Sequence, residues 1–382
     1  MKLLSIFIAF VLAFFIGQTV LKKLYIFSFR RRLFDPVDSR KSHLGLIPRM
    51  GGMAFLPTQC SIFMLVIIVL RFLDLMYIDY ELLVRFLLLI MGLGLLFITG
   101  IVDDLMGIYY KWKFAAQFMA AIFLPVSGLW ISNMDGMLGI NALPIWIGIP
   151  ITVFIIIFII NAYNLIDGID GLCSGLTILA CTVLGTLFFR HESLLPVIFC
   201  FITVGTLAPF FYYNVYGKTK RKRRIFMGDT GSMTLGLTVS FLVISYTVGE
   251  PELPNPAGNF LVAFSVVLVP MLDVLRVILI RLLTHKPLFL PDKNHIHHYL
   301  LDLGYSPQTA LFTILGIALF FIVFNMCMVR FAFNNQTLVL IFDVFLWFAG
   351  IWLLNKFRQA RLQKKEQTSN QEKEQNETKD VP

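Results

Sequence analysis

Charge is scarce in this 382-residue sequence: Asp, Glu, Lys and Arg make up 14% of it, whereas hydrophobic residues make up 58%. That balance excludes an ordinary soluble domain, in which roughly a quarter of the residues are charged. Cysteine is nearly as rare. The five present (Cys60, Cys173, Cys181, Cys200, Cys327) lie in or beside apolar runs with no C-x-x-C spacing, which argues against a disulfide framework and a zinc–thiolate centre. No internal repeat is visible, which weakens an inverted-repeat transporter.

What the sequence does have is long apolar runs. A membrane-crossing helix needs about 20 mostly apolar residues. Such runs fall near 3–21, 53–71, 82–102, 114–132, 144–163, 171–189, 194–213, 230–248, 258–280, 309–329 and 337–355. They predict an all-α, polytopic membrane protein of about 11 spans. The first run is not read as a cleavable signal, because its positive charges (Lys22, Lys23, Arg30, Arg31, Arg32) follow it rather than precede it.

The formal charge of +9 is one-sided. With the N-terminus outside, the inner loops carry Lys22–Arg49, Lys111, Lys113, Lys218–Arg224, Arg281–Lys293 and the tail from Lys356, whereas the outer loops hold only Lys2, Arg71, Arg190 and Arg330. This is the bias expected of cytoplasmic loops, and it places the C-terminus in the cytoplasm. Membrane topology and anionic lipid account for the excess charge, without nucleic acid. The chain divides into a membrane domain, 1–355, and a polar tail, 356–382, which has almost no apolar residues beyond Leu362 and is predicted to be disordered.

Polar motifs gather at the inner ends of the spans. Asp103 and Asp104 end the third; adjacent carboxylates repel unless a cation or donor lies between them. Asn161, Asn164, Asp167 and Asp170 recur every third residue at the end of the fifth, forming a row on one helix surface, with Gly168 and Gly171 able to turn the chain. The segment Phe226-Met-Gly-Asp229-Thr-Gly-Ser232 opens the eighth span directly after a basic run. A helix start there offers unpaired N–H groups to an anion, although Asp229 alone also reads as an N-cap. His295, His297 and His298 follow Lys293; lacking partners at zinc-motif spacing, they suit a diphosphate better than a metal. His43 and Arg49 flank a basic, glycine-containing entry to the second span that suits a phosphate headgroup. Oxygen donors without thiolates point to Mg2+ or Mn2+. A transporter or flippase would need charge near the bilayer midplane, where only Arg85, Asp273, Arg276 and Asp343 fall.

The ordered set IPRMGG, VDD, NAYNLIDGIDGL, FMGDTGS and HIHH, over roughly 35–305, resembles the polyprenyl-phosphate N-acetylhexosamine-1-phosphate transferases of glycosyltransferase family 4, in the WecA/TagO-type branch. The resemblance implies a bacterial inner-membrane enzyme that faces the cytoplasm. It would transfer GlcNAc-1-phosphate from UDP-GlcNAc to undecaprenyl phosphate, releasing UMP and forming the first lipid-linked intermediate of an envelope polysaccharide such as O-antigen; UDP-MurNAc-pentapeptide and UDP-GalNAc are alternative donors. Its implied catalytic residues are Asp103, Asp104, Asp167 and Asp170. Its implied Mg2+ ligands are Asp229, Asn164 and Asp104, and its substrate-binding residues Lys113, His295, His297, His298, Arg49 and His43. A homodimer is a candidate assembly. Many members continue the acidic pair as DDxxD, whereas Gly107 stands here. General-base and covalent aspartyl mechanisms both remain open at this point.

Overall fold

The computed structural model describes residues 2–31, 33, 48–75, 79–217, 224–249, 259–287, 294–331 and 335–379. The helices are α1 (Lys2–Arg31), α2 (Phe55–Phe72), α3 (Tyr80–Met106), α4 (Tyr110–Val126), α5 (Ile145–Ile166), α6 (Leu172–Arg190), α7 (Leu194–Tyr216), α8 (Gly228–Val248), α9 (Asn259–Ser265), α10 (Leu268–Leu283), α11 (Ile296–Asp302), α12 (Pro307–Phe331) and α13 (Gln336–Lys379). A 3₁₀ turn, Gly51–Ala54, leads into α2. The protein is an all-α polytopic membrane protein, as the apolar runs predict.

Nine helices among the described residues are long and apolar enough to span a bilayer, fewer than the eleven runs. The fourth run gives only the 17 residues of α4, because Pro125 and the left-handed Gly128 (φ 83°) close the helix early. The ninth is broken between α9 and α10. Pro270, in the first turn of α10, has no N–H to continue a helix from α9 but is tolerated at a helix start.

In the polar tail from 356 onward the structure continues α13 to Lys379. Its Gln, Lys, Glu and Arg residues are good helix formers, and neither Gly nor Pro interrupts them.

The centre of the bundle is α8, buried over 94% of its apolar window, whereas α1 and α13 are buried over only 22% and lie at the periphery. Small residues let α8 sit there. A Cβ on Gly236 would fall 2.7 Å from Ile160 Cα of α5, so the two backbones meet closely. Hydroxyls along α8 bond back within the helix, Thr234 to Thr230 O and Ser240 to Gly236 O at 2.7 Å each, which satisfies them in an apolar setting. Toward the start of α3, Phe63, Phe86, Phe199 and Phe241 pack with centroids 4.7–5.5 Å apart and tie α2, α3, α7 and α8 together.

At the opposite end of the bundle the polar motifs converge. The segment before α2 pairs with the segment before α8: Phe226 N–H donates to Pro48 O at 2.8 Å, Gly51 N–H to Phe226 O at 2.9 Å and Gly52 N–H to Met227 O at 2.8 Å. A Cβ on Gly52 would lie 2.2 Å from Gly231 N, so glycine is required for this approach. Around Gly94 of α3 nothing lies within 4 Å of a Cβ. Gly52→Ala is therefore expected to destabilise the protein by about 1–3 kcal/mol, and Gly94→Ala to leave it unchanged or slightly more stable, read as thermal unfolding midpoints in detergent.

Candidate active site

Four helix ends build the acidic centre. From the end of α3, Asp104 reaches the start of α8: its Oδ1 accepts from Asp229 N–H at 2.8 Å, and its Oδ2 from Thr230 N–H at 3.0 Å and Thr230 Oγ1 at 2.6 Å. Both oxygens are thus engaged by the helix terminus. Asp104 acts as a cap supplied by another helix, a role the sequence did not suggest, and the N–H groups of Asp229 and Thr230 are occupied by it rather than offered to a substrate phosphate. Nor is Asp229 the N-cap, since α8 begins one residue earlier, at Gly228. Two glycines permit the contact: a Cβ on Gly100 would fall 2.4 Å from Thr230 Cα, and one on Gly228 (φ 74°) 2.6 Å from Asp104 Oδ2.

Asp229 is held one residue along. Lys113 Nζ, at the start of α4, lies 2.8 Å from Asp103 Oδ2 and 2.5 Å from Asp229 Oδ2, joining the two carboxylates. Asp103 Oδ1 also accepts from Ile108 N–H at 2.8 Å, fixing the α3–α4 turn. Asn164 Nδ2 donates to Asp229 Oδ1 and to Ser232 Oγ, both at 2.9 Å.

The predicted row at the end of α5 does not persist as one face, because the helix stops at Ile166 and the chain turns through Gly168 to the left-handed Gly171 (φ 82°). Its members diverge. Asn161 exchanges amide hydrogen bonds with Gln117 of α4, the shorter at 2.7 Å. Asp170 pairs with Arg224 and accepts from Asn214 Nδ2 at 3.3 Å, while Asn214 also donates to Ile225 O at 2.9 Å. Asp167 receives no hydrogen bond from the described residues. Burial pushes its carboxyl well above the usual carboxylate range, helped by nearby Asp170, Asp229 and Asp104 and opposed by Arg49.

The histidines take three different positions. His295 is buried with its Nδ1 2.8 Å from Asp273 Oδ2. That contact anchors the motif to α10 and commits Nδ1 of the ring. Asp273 Oδ1 also accepts from Ile296 N–H at 3.1 Å and from Arg276 at 2.9 Å. His297 packs against Gly168, where a Cβ would fall 2.2 Å from its Nε2. Burial, with His298 and His295 nearby, pushes the His297 pKa down to about 3, so the ring is neutral near pH 7 and offers hydrogen bonds rather than charge. The ring of half-buried His298 lies tilted against it, with centroids 4.3 Å apart. Arg49 lies within the acidic centre's electrostatic range through Asp167. His43 lies outside the described residues.

Asp273, Arg276, Gln117, Asn214 and Arg224 were not predicted as site residues. Opposite charges three residues apart inside an apolar run, as in Asp273 and Arg276, were the available signal, since such groups in a membrane must find partners.

The donors present fit a hard divalent cation. Asp167 has a carboxylate without a described partner, and Asn164 commits its amide nitrogen to Asp229 and Ser232, leaving its Oδ1 outside those bonds. Among the described residues no three His, Cys, Asp or Glu side chains form a complete cage.

The raised Asp167 carboxyl also has a consequence for stability. The folded state holds its proton to higher pH than the unfolded chain does, so above about pH 4 this group lowers stability increasingly as pH rises toward its folded value. Asp167→Asn is expected to unfold at a higher temperature than the unsubstituted protein near neutral pH, with the gap closing toward pH 4, while its turnover falls at least about 100-fold. Paired melting curves and rate measurements across pH check both halves.

Residues 86–247 match the family model described as glycosyl transferase family 4. A Yersinia pestis protein named undecaprenyl-phosphate alpha-N-acetylglucosaminyl 1-phosphate transferase is 29% identical over 280 residues, 73% of this chain and 72% of its own length. Escherichia coli (strain K12) and Salmonella typhi proteins of the same name are 29% and 27% identical over 310 and 311 residues, each covering 81% of this chain and 78% of the relative. The matched segment carries the acidic pair, Lys113, the Asn164–Asp170 turn and Asp229, so the residues that build the site lie in the part of the chain that is similar to glycosyl transferase family 4.

Proposed function

We propose that the protein transfers N-acetylglucosamine-1-phosphate from UDP-GlcNAc to undecaprenyl phosphate on the cytoplasmic face of a bacterial inner membrane. The observation that carries this is the joining of Asp103 and Asp229 by Lys113 at the membrane-edge ends of α3, α4 and α8. There a lipid phosphate and a soluble nucleotide can meet. The names of the relatives support the sugar and the lipid, and the inner-loop excess of Lys and Arg supports the orientation.

The reaction requires two anions to approach. An oxygen of the lipid phosphate attacks the β-phosphorus of the nucleotide sugar, a new P–O bond forms, and the bond from that phosphorus to the bridging oxygen breaks, with UMP keeping the electron pair. Charge balances without a proton when the lipid phosphate is a dianion, which holds above about pH 6. A general base is therefore not required, and direct attack is favoured over an aspartyl intermediate. The difficulty is repulsion, and the chain's cations address it. Lys113, fixed by two carboxylates, presents a positioned ammonium, and Arg49 adds a second cation within range of Asp167. Asp229, Asn164 and Asp167 would hold Mg2+, which when bound supplies charge neutralisation and polarisation of the transferred phosphoryl group. His297, neutral near pH 7, and its neighbour His298, beside the Gly168 turn, would orient the nucleotide sugar by hydrogen bonding.

The test is UMP release by detergent-purified protein given undecaprenyl phosphate and Mg2+, with UDP-GlcNAc, UDP-GalNAc and UDP-MurNAc-pentapeptide in parallel. Release with UDP-GlcNAc alone, lost on adding EDTA, is the expected result. Release with a different donor corrects the sugar, and no release from folded protein defeats the assignment.

A further inference from the structure

Helix α11 has only seven residues, too few to hold its shape alone, yet it carries His297 and His298. Its orientation must be imposed from outside. One clamp is α10: Asp273 holds His295 and the Ile296 N–H, and Arg276 reaches the carbonyl of Asn294. This fixes the start of the short helix but not its far end.

The far end is held by α13, beyond the apolar part of that helix. Arg358 Nε donates to Asp302 Oδ2 at 2.7 Å, and its guanidinium lies 4.4 Å from the ring centroid of Tyr299. Arg276 lies 5.0 Å from the same centroid, so Tyr299, itself buried, contacts a cation from each of two helices. One turn further along α13, Arg361 packs against the left-handed Gly304 (φ 81°) that follows α11, in the space a Cβ would need. Arg358 and Arg361 are three apart and share a helix face. The opposite end of α13 is also tied down, because Leu138 N–H donates to Thr337 Oγ1 at 2.8 Å and Gln336 Nε2 to Asp135 O at 3.3 Å. A helix anchored at both ends of the bundle thus grips the histidine helix.

We propose that Arg358 is a positioning residue: through Asp302 and Tyr299 it sets the rotation of α11 and thereby the placement of His297 and His298 against the Gly168 turn. This rests on the reading that these histidines orient the nucleotide sugar. A planar guanidinium is suited to the task, because it can pair with a carboxylate and lie over a ring at once, whereas an ammonium cannot match both geometries.

The experiment compares full-length protein in detergent as wild type, Arg358→Ala, Arg358→Lys and Asp302→Asn, measuring UMP release against UDP-GlcNAc concentration alongside thermal unfolding. Arg358→Ala is expected to raise KM for UDP-GlcNAc about tenfold with kcat within about twofold. Arg358→Lys is expected to recover part of that loss by keeping the ion pair. Asp302→Asn, which barely changes side-chain volume, is expected to raise KM in the same direction and carries the test should Arg358→Ala fail to fold. Unchanged KM in Asp302→Asn and in every folded Arg358 variant overturns the inference alone, as does a loss confined to kcat. A wild type inactive toward UDP-GlcNAc overturns the proposed function, and this inference with it.

Discussion

The N–H groups in the first turn of α8 have no partners within the helix, and that turn is packed against the ends of α3 and α5, with Thr230 fully buried. Asp104 resolves this from the neighbouring helix, accepting two backbone N–H groups and one hydroxyl. Each buried group left unpaired would cost about 1–3 kcal/mol, more than most surface ion pairs contribute. The close glycine contacts at Gly52, Gly100 and Gly228 serve the same junction by letting the chain before α2 and the end of α3 reach the start of α8. Asp229, Asn164 and Lys113 take their places from that fixed terminus, which makes Asp104 structural support for the chemistry beside it.

Carboxylates outnumber the cations placed among them. Asp103 and Asp229 share Lys113, and Asp170 has Arg224, whereas Asp167 has no described hydrogen-bond donor. Crowded by Asp170, Asp229 and Asp104 and offset by Arg49, Asp167 is the least compensated group of the centre. The same electrostatics explain why the centre needs so little machinery. A phosphate dianion is already a nucleophile, so the site must hold charge in place rather than create it.

Much of this could be read in the sequence, and the parts that could not share one cause. Long apolar runs reveal the helices because the bilayer fixes their length, and the ordered motifs reveal the site because their residue types are rare at span ends. Partners across helices left no local trace. Asp104 and Asp103 are neighbours in sequence with the same side chain, yet one caps α8 and the other binds Lys113. His295 and His297 look equivalent two residues apart, but one anchors to Asp273 and the other rests on Gly168. Local breaks leave as little trace: the i, i+3 row from Asn161 presumes a helix that stops at Ile166.

If Asp229 and its neighbours form a cation-binding catalytic centre, as proposed, the site takes up a divalent ion together with its substrate. Manganese binding followed by electron paramagnetic resonance tests it without depending on turnover. The purified protein is expected to take up Mn2+ in the presence of UDP-GlcNAc, and Asp229→Ala, still folded, to lose this uptake. Equal uptake by the two proteins would contradict it.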